Sequence, residues 1–387
     1  AASPLDAAAL IYLQQQRLNA DDGAADSRFG SSVSISGNTA LVGAPLHGVG
    51  GKVDQGSAYV FVRTGTTWSF QQKLTAPDGA AGDYFGFAVS LFGDTALVGA
   101  PLHDVGDNVD QGSAYVFVRT GTTWSFQQKL TAPDGAAFDS FGTSVSLFED
   151  SALAAMPEDD IGENPGQGSA YVFARTGTTW SFQQKLTAPD GAAGDYFSTS
   201  VSLFEDSALI GAPYDDVGAI DAQGSAYVFA RTGTMWSFQQ KLTMPEGATN
   251  DAFGVAVSLS GESALVGAAF KTIGGNPGQG AAYVFARTGT TWTLQQQLTA
   301  PDGASSDLLG FSVSLSGDTA LAGAPLDGVG AASGQGSVSI FTRTGTTWTF
   351  QQKLTASDGS ASDYFGYAVS LSGETVLAGA PYDDAEG

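Results

Sequence analysis

The sequence predicts an all-β fold, a seven-bladed β-propeller whose blades each contain four antiparallel strands. Two observations predict it: a repeat of 56 residues that runs through the chain, and four strand-like segments inside each repeat. Four short strands in a unit of roughly 40–50 residues are typical of a propeller blade. The composition agrees, because 52 glycines and only 14% charged residues suit many short strands joined by tight turns.

The period is clearest at one aromatic position. A tryptophan recurs there with constant spacing, and one step before the first of them stands Tyr12, an aromatic substitute. No insertion interrupts the spacing. We therefore predict one domain over residues 1–387, with repeats that begin near residues 29, 85, 141, 197, 253, 309 and 365. The recurring tryptophans are Trp68, Trp124, Trp180, Trp236, Trp292 and Trp348.

Within the unit from Phe85 to Ser140, four segments have the pattern of strands. They are strand A (FGFAVSL), strand B (DTALVGA), strand C (GSAYVFV) and strand D (WSFQQKL). Short links that contain glycine join A to B and C to D, as in hairpins. Strand C is apolar on both faces, which predicts a neighbouring sheet on each side. Strand D alternates, so we predict that it is outermost and that its apolar residues share one face; these are Trp124, Phe126 and Leu130.

The two ends of the sequence predict how the ring closes. The sequence ends after strands A and B of the seventh unit, whereas residues 9–18 (ALIYLQQQRL) align with strand D. We therefore predict that residues 1–28 supply the closing strand or strands of the last blade, which removes a free sheet edge. Residues 2–5 (ASPL) stand where strand C is expected, but they match it poorly and contain a proline. Two alternatives stay open there: a thin blade, or a strand from another protomer.

Residues 85–101 (FGFAVSLFGDTALVGAP) and 365–381 (FGYAVSLSGETVLAGAP), with their counterparts in the other units, resemble FG-GAP repeats. Such repeats are best known from the propeller of integrin α-subunits and from bacterial extracellular proteins. The resemblance covers essentially the whole chain, and it implies an extracellular binding or adhesion module. It does not extend to the calcium loop of integrin-type units. The A–B link here, such as residues 260–262, is too short to surround a cation with about six to eight oxygens.

The net charge narrows the range of partners. A formal charge of −24 repels nucleic-acid phosphates and anionic lipids, so we predict no nucleic-acid partner. No apolar run approaches the roughly 18 residues of a membrane-spanning helix, and we predict no membrane insertion. The acidic residues instead suit a divalent cation, a basic partner or self-association with a more basic surface.

Propeller topology assigns most of the acidic residues to one end of the molecule, where the D–A and B–C loops lie together. Carboxylate oxygens are ligands for Ca²⁺, so the Asp pairs of the D–A loops are candidate calcium ligands, with simple solvation of the loops as the alternative. These candidates are Asp78, Asp83, Asp134, Asp139, Asp190, Asp195, Asp302, Asp307, Asp358 and Asp363. The B–C loops add a candidate binding face for a protein or glycan, formed by Asp104, Asp107, Asp110, Asp159, Asp160, Asp215 and Asp216.

Three other features have both a structural and a functional interpretation. The tryptophans offer faces on which sugars stack, but each begins a strand, so we predict that they pack between blades. Six arginines follow strand C, and we predict that they pair with acids of the A–B turns such as Asp94 or Glu149. His47 and His103 are the only histidines, and they make a weak metal site because no third ligand accompanies them.

Nothing in the sequence predicts catalysis. The chain has no GxSxG, HExxH or phosphate-binding loop, and its carboxylate pairs recur as copies rather than as one asymmetric centre. We therefore predict a non-enzymatic extracellular protein, secreted or at the cell surface. Three functions stay open: a binding or adhesion module that presents its acidic face, a structural protein that self-assembles head to tail or by strand complementation, and a multivalent glycan-binding lectin.

Overall fold

The computed structural model describes residues 11–23 and 26–383. These residues form 26 β-strands in seven antiparallel sheets, arranged as the blades of a propeller. Six sheets have four strands each and the seventh has two, so there are six complete blades and a partial seventh. Among the described residues, no helix is long and apolar enough to cross a membrane.

Strands that are neighbours in a blade are also neighbours in sequence. Blades 1 and 2 contain β1 (Ser32–Ser36), β2 (Thr39–Ala44), β3 (Ser57–Thr64), β4 (Thr67–Leu74), β5 (Val89–Phe92), β6 (Thr95–Ala100), β7 (Ser113–Thr120) and β8 (Thr123–Leu130). Blades 3 and 4 contain β9 (Val145–Phe148), β10 (Ser151–Met156), β11 (Ser169–Thr176), β12 (Thr179–Leu186), β13 (Ser200–Phe204), β14 (Ser207–Ala212), β15 (Ser225–Thr232) and β16 (Met235–Leu242). Blades 5, 6 and 7 contain β17 (Phe253–Ser260), β18 (Ser263–Ala268), β19 (Ala281–Thr288), β20 (Thr291–Leu298), β21 (Ser312–Ser316), β22 (Thr319–Ala324), β23 (Ser337–Thr344), β24 (Thr347–Leu354), β25 (Ala368–Ser372) and β26 (Thr375–Gly379).

The order of the strands confirms the predicted blade. Strands A, B, C and D pair in that order in each complete blade, and the A strands of neighbouring blades lie against one another. Tight turns join the strands at the predicted glycines. In blade 2, Gly93 and Gly121 have φ values of 56° and 64°, a conformation that glycine adopts at little cost.

Strand D carries a β-bulge that the alternation of its residues does not reveal. In blade 2, β8 pairs with β7 with one extra residue at Gln127, which reverses the side-chain alternation. Trp124 therefore packs between blades 1 and 2, whereas Leu130 packs between blades 2 and 3. Phe126 is 43% exposed. Phe126 contacts Tyr115 and Phe117 on the same side as Trp124, so the predicted shared face is confirmed for Trp124 and Phe126 and is wrong for Leu130.

The hydrophobic core lies between the blades. Strand C contributes to two interfaces at once: Tyr115 and Phe117 face blade 1, and Ala114 and Val116 face blade 3. Phe85 packs edge-on against both aromatic rings, with centroid distances of 5.5 and 6.0 Å. Both faces of strand C are buried, as predicted. The recurring tryptophans are buried in the same interfaces, which confirms that they pack between blades.

Two glycines of the repeat let neighbouring blades approach closely. Gly99 of strand B lies so near Gly142 of the next blade that a Cβ on Gly99 would stand 2.0 Å from the Gly142 oxygen. One interface departs from this pattern: Ala155 and Ser198 occupy the two places, and Ser198 Oγ accepts a hydrogen bond from the Met156 amide at 3.1 Å. The two positions change together, as expected for residues in direct contact.

The ring is closed at its inner radius. Serines of strand A accept hydrogen bonds from amides of the next blade, as Ser34 Oγ does from Leu91 at 3.0 Å. The same contact joins the last blade to the first, where Ser370 Oγ accepts from Ile35 at 3.1 Å. Blade 7 is therefore placed between blades 6 and 1, although only two strands of this blade pair within the part of the chain that the structure describes.

At the outer radius, a glutamine of strand D binds the backbone of the tryptophan in strand D of the next blade. The Gln72 side chain accepts a hydrogen bond from the Trp124 amide at 2.8 Å and donates one to the Trp124 carbonyl at 2.7 Å. We call this pair of bonds the Gln–Trp clasp. It follows the bulge in sequence, and it fixes the spacing of neighbouring blades.

The N-terminal segment makes the same clasps. Gln352 binds the backbone of Tyr12 at 3.0 and 2.8 Å, and Gln16 binds that of Trp68 at 2.8 Å in both bonds. Tyr12 thus stands where the other blades have tryptophan. The predicted contribution of residues 1–10 to the last blade lies outside the described residues.

Candidate functional site at the loop end

The D–A and B–C loops meet at one end of the propeller, called the loop end below. Loops of neighbouring blades are joined through their backbones: the Phe141 amide donates to the Gln111 carbonyl at 2.8 Å, beside a parallel bridge from Phe141 to Gly112. The loop end is therefore a hydrogen-bonded surface on which side chains hold defined positions.

The first Asp of each predicted pair binds the next blade. Asp78 accepts hydrogen bonds from Tyr115 Oη at 2.9 Å and from Lys129 Nζ at 2.7 Å. Burial acts to raise the pKa of Asp78, but the bonds from Lys129 and Tyr115 outweigh it and hold that pKa below its ordinary value. The equivalent carboxylates, each bonded to a cation of the next blade, are Asp134, Asp190, Asp302 and Asp358.

The second Asp of each pair is buried beneath the loop. Asp83 accepts a hydrogen bond from the Ala80 amide at 2.6 Å, and His103 Nδ1 lies 2.9 Å from the same carboxylate oxygen. The amide bond caps the turn of the loop itself. The equivalent capping carboxylates are Asp139, Asp195, Asp307 and Asp363.

The paired carboxylates therefore have protein partners. Within residues 11–23 and 26–383, no three His, Asp or Glu side chains are grouped as the ligands of a metal ion would be. To bind Ca²⁺, residues such as Asp78 would have to exchange a lysine for the cation. Calcium binding by the pairs stays a prediction.

The interfaces between blades differ at one position of the B–C loop, which is His103 in blade 2 and Asp159 in blade 3. Between blades 1 and 2, in what we call the His103 interface, the imidazole lies between Asp83 and Lys129, whose Nζ is 3.2 Å from His103 Nε2. Ser113 Oγ is buried there without a hydrogen-bond partner among the described residues. His47, one repeat earlier, belongs to a different interface. The two histidines therefore do not form a shared metal site.

Between blades 2 and 3, in the Asp159 interface, a carboxylate replaces the imidazole. Asp159 accepts hydrogen bonds from Ser169 Oγ at 2.5 Å and from Lys185 Nζ at 2.7 Å. Lys185 also binds Asp134, at 2.8 Å. Burial raises the pKa of Asp139 to about 6, and the Asp159 carboxylate adds to the rise. Lys185 thus pairs with Asp134 and Asp159, and its charge acts to lower the pKa of Asp139.

The acidic B–C residues divide into two groups. Asp159 and Asp215 are only 4% and 3% exposed and pair with lysines, so they belong to interfaces rather than to an outer binding face. Burial, with Asp104 close by, raises the pKa of Asp110, which is partly buried. The exposed members are Asp104, Asp107, Asp160 and Asp216. Most of these four accept an amide bond from their own loop, which shapes it.

A groove of 690 Å³ lies at the loop end beside the Asp159 interface. Its lining includes Phe138 and Tyr196, which are 61% and 38% exposed, and the exposed carboxylates of Glu158 and Asp160. Tyr196 also contacts Tyr214 edge-on, with 5.5 Å between ring centroids. An aromatic surface flanked by carboxylates is suited to a cationic side chain.

Phe138 has a strained backbone. Its φ is 71°, in the left-handed region that glycine adopts readily, and Gly82 and Gly194 occupy this position in the neighbouring loops. A non-glycine residue in that conformation costs roughly 1 kcal/mol. Sequence reasoning missed Phe138, Tyr196 and Tyr214. The signal that could have found the site is a large aromatic residue at a loop position where the other repeats have glycine or a small polar residue, namely Asp26, Gly82, Gly194, Asn250, Ser306 and Ser362.

At the opposite end of the propeller, five of the six arginines pair with acids of the A–B turns, whereas Arg63 donates to the side chains of Asn38 and Thr375 instead. Arg119 binds Asp94 at 2.5 Å, as predicted. Arg175 binds Asp150 at 2.6 Å, so the predicted partner Glu149 is wrong. Glu149 stands one residue earlier, at a left-handed position of the turn with φ of 51°. These arginines stabilise the blades and are not a free anion-binding surface.

The family model of the FG-GAP repeat matches the chain along most of its length. Each matched unit begins at strand D and runs through strands A and B of the next blade, and the complete units end in strand C. The last unit ends before that strand. The matched segments are residues 12–61, 68–117, 124–173, 180–229, 236–285, 292–341 and 348–387.

Two integrin subunits of Drosophila melanogaster are similar to parts of the chain. Integrin alpha-PS5 is 29% identical over 191 residues, which are 46% of this chain and 18% of that protein. Integrin alpha-PS3 is 28% identical over 126 residues, which are 30% of this chain and 11% of that protein. The chain thus spans less than a fifth of these distant relatives. With four-stranded blades and seven matched units, it belongs to the FG-GAP repeat family of β-propellers.

Proposed function

We propose that this chain is a non-catalytic extracellular binding module that holds a basic protein partner in the groove of the loop end. The observation that supports the proposal is Phe138, exposed at a strained position beside Glu158 and Asp160. A costly backbone conformation that exposes an apolar ring is expected where binding requires it. Membership of the FG-GAP family, with its integrin-like repeats, supports a binding role and an extracellular location.

The chemistry of the groove suggests how the partner is held. A lysine or arginine of the partner can lie against the ring of Phe138 or Tyr196 while its charge is met by Glu158. The formal charge of −24 attracts a basic surface over a distance, which speeds association. Binding is therefore expected to weaken as the salt concentration rises.

Peptide arrays with matched basic and neutral sequences, followed by titration of the peptides that bind, test this proposal. Replacing Phe138 by glycine is expected to weaken binding about tenfold, roughly the loss of one cation–aromatic contact. The folded state should not suffer, because glycine relieves the strain at that position. Phe270→Ala is the matched control, since Phe270 is 47% exposed but does not line the groove. Equal binding by the Phe138→Gly protein would exclude the groove.

The charge of the groove is tested separately. Glu158→Gln removes one carboxylate from the groove, and it should weaken basic peptides and reduce the dependence of their affinity on salt. Asp107→Asn, an exposed acid of another loop, should change neither. If both variants behave alike, the attraction comes from the overall charge of the protein and not from this groove.

Calcium enters the proposal as a cation that the acidic loops hold for adhesion. Thermal unfolding with millimolar Ca²⁺ or with EDTA, at constant ionic strength, tests it. A ligand present at 100 times its Kd stabilises the folded state by about 2.7 kcal/mol. A calcium-dependent rise in Tm that Asp78→Asn reduces would support the D–A loop sites. Identical curves would leave these carboxylates as links between blades.

The two alternative functions differ in what supports them. The tryptophans are buried and offer no face to a sugar, so a glycan would have to use the aromatic groove instead. A glycan array with the Phe138→Gly protein as control distinguishes a sugar from a basic peptide. Self-assembly by strand complementation is motivated by blade 7, in which the structure describes two paired strands rather than four.

A further inference from the structure

The interface between blades 5 and 6, called the Ser339 interface below, has smaller side chains at two places of its core. Leu309 and Ser339 stand where the Asp159 interface has Phe141 and Tyr171. The interfaces that precede blades 1 to 5 each have a phenylalanine in edge-on contact with a tyrosine at these places. The two replacements together lack more side-chain atoms than a phenol molecule contains.

No larger residue compensates for the lost rings across the interface. The residues with which blade 5 faces blade 6 are identical in type to those with which blade 2 faces blade 3. On blade 6 itself, Ala324 is smaller than its counterpart Met156. The facing residues of blade 5 are Leu265, Ala282, Val284, Leu298 and Ala300.

The two blades have not moved together to close the space. At the inner radius, a Cβ on Gly267 would stand 1.9 Å from the Gly310 oxygen, and the equivalent distance in the Asp159 interface is 2.0 Å. At the outer radius, the Gln–Trp clasp between Gln296 and Trp348 has bonds of 2.9 and 2.7 Å, against 2.8 and 2.6 Å in the Asp159 interface. The blades therefore keep their ordinary spacing although two rings are missing between them.

The remaining aromatic rings have not filled the space either. The ring centroids of Phe341 and Phe350 are 5.9 Å apart, and their counterparts in the Asp159 interface are 6.1 Å apart. Ser339 is completely buried, and its Oγ has no hydrogen-bond partner among the described residues. A buried hydroxyl without a partner is unfavourable and rare in folded proteins. The serine therefore does not replace what the tyrosine does in the other interfaces.

The charged groups that surround the tyrosine elsewhere are retained. In the Asp159 interface, Tyr171 Oη donates a hydrogen bond to Asp134 at 2.7 Å, and Lys185 Nζ lies 5.2 Å from the centre of the tyrosine ring. In the Ser339 interface, Lys353 Nζ lies 2.8 Å from the Asp302 carboxylate, as Lys185 does from Asp134. A carboxylate and an ammonium group thus stand where they would meet a phenolic hydroxyl and an aromatic ring.

We propose that the Ser339 interface binds a small phenol in the space of the lost tyrosine ring. The hydroxyl of the phenol donates to Asp302, and the ring lies against the ammonium group of Lys353. Leu309 and Phe350 contact the ring from the sides, as Phe141 and Phe182 contact Tyr171. The Asp302 side chain is 63% exposed, so the ligand enters from the loop end.

Water is the competing occupant of this space. A buried water molecule needs about two to four polar partners, whereas apolar cavities of about 150 Å³ stay dry and bind benzene. The Ser339 hydroxyl and the Asp302 carboxylate lie at opposite ends of the lost ring, at its backbone and its hydroxyl. The walls between them include the hydrocarbon side chains of Leu309, Phe341 and Phe350. The chemistry therefore favours an aromatic molecule.

Isothermal titration of the full chain with phenol tests the proposal. We expect saturable one-to-one binding. Ser339→Tyr restores the residue of the other blades, so it should raise the Tm and lower the affinity for phenol about tenfold or more. Leu309→Phe fills the space from the other side and should also weaken binding. Ser339→Ala is the matched control, because it leaves the space open and should keep the binding.

Two results of this titration overturn the proposal. Phenol that shows no saturable binding to the original chain would leave the space to water. Phenol that binds equally well to the Ser339→Tyr protein would occupy another part of the molecule. Phe138→Gly should leave phenol binding unchanged, and its loss in that variant would place the phenol in the loop-end groove instead.

A second experiment tests the partner of the hydroxyl. Asp302→Ala should weaken phenol binding about tenfold, since it removes a hydrogen bond to a charged group. Toluene has no hydroxyl, so it should bind less tightly than phenol and should lose nothing in this variant. Asp134→Ala is the matched control, because Tyr171 already occupies that interface. Equal loss of phenol in both variants, or no loss in either, contradicts the assigned site.

Discussion

The His103 interface and the Asp159 interface have the same backbone and core, but their buried charged groups have different partners. Phe85 contacts Tyr115 at 5.5 Å in one, and Phe141 contacts Tyr171 at 5.7 Å in the other. In the first, an imidazole lies between a carboxylate and a lysine. In the second, the carboxylates of Asp134 and Asp159 share Lys185. The apolar packing is therefore constant while the electrostatics of the loop end vary.

A third interface shows what limits this variation. Between blades 4 and 5 the loop residue is Lys271, which binds Asp251 at 2.9 Å. The strand D position that is lysine in the other two interfaces is Gln297 there. The cation has moved from the strand to the loop, but one cation is retained. We conclude that each of these interfaces keeps one lysine, and that the lysine can come from strand D or from the B–C loop.

The largest expected difference between the two interfaces is in the free energy of unfolding after the strand D lysine, Lys185 or Lys129, is replaced. Lys185→Met should lower the free energy of unfolding by about 3 kcal/mol, because it leaves the buried Asp159 and Asp139 without a counter-charge. Lys129→Met should cost about 1 kcal/mol or less, since it breaks an ion pair with the half-exposed Asp78. Urea unfolding at neutral pH measures both. Adding Asp159→Asn should restore much of the loss in the first variant, and equal losses would contradict the comparison.

The next effect depends on pH. The pKa of Asp139 in the folded protein is about 6, above its ordinary value of 3.8, so its contribution to stability is full below pH 3.8 and is lost as the pH rises through 6. Asp139→Asn keeps the bond from the Ala136 amide and should stabilise the protein by about 2 kcal/mol at pH 7.5.

At pH 4 this variant should match the original protein, because Asp139 is then protonated. The control is Asp83→Asn in the His103 interface, which weakens the bond to His103 and should stabilise at neither pH. Chemical unfolding at the two pH values measures the effect. A stabilisation by Asp139→Asn that is the same at pH 4 and pH 7.5 would refute this account of the carboxylate.

The smallest effect is expected when one interface is converted into the other. His103→Asp recreates the Asp159 interface, with Ser113 and Lys129 in the places of Ser169 and Lys185. Ser113 Oγ then gains a carboxylate to which it can donate, so the net change should stay below about 1 kcal/mol. The test is the urea midpoint of the single variant. A loss as large as that of Lys185→Met would mean that the two interfaces differ in more than this position.

The strands were predictable because their alternation and glycine turns are local in sequence. The bulge was not, since a Gln-Gln pair does not reveal which of the two residues is extra until the partner strand is known. At the loop end, the Asp pairs were located correctly but their contacts were not foreseen. Asp78 meets Tyr115 and Lys129, which lie 37 and 51 residues later in the next blade.

The aromatic groove was missed for a different reason. In a repeat protein, a loop residue that departs from the common sequence resembles neutral drift. Phe138 becomes informative only when its φ of 71° and its exposure are known, because they show that the substitution is unfavourable for the loop itself. Physical cost, rather than variation, marks the candidate site.

The offset between the family unit and the blade bears on how such a protein evolves. A complete unit contributes strand D to one blade and strands A, B and C to the next, so no unit builds a blade alone. A gene duplication that adds one unit therefore adds one blade to the ring. The new blade is linked to its neighbours by the polypeptide itself, because each unit contains strands of two blades. Near-identical strands such as β7 and β11 fit recent copying of this kind. Selection can then act on single loops, while the copied scaffold keeps the geometry in which they are presented.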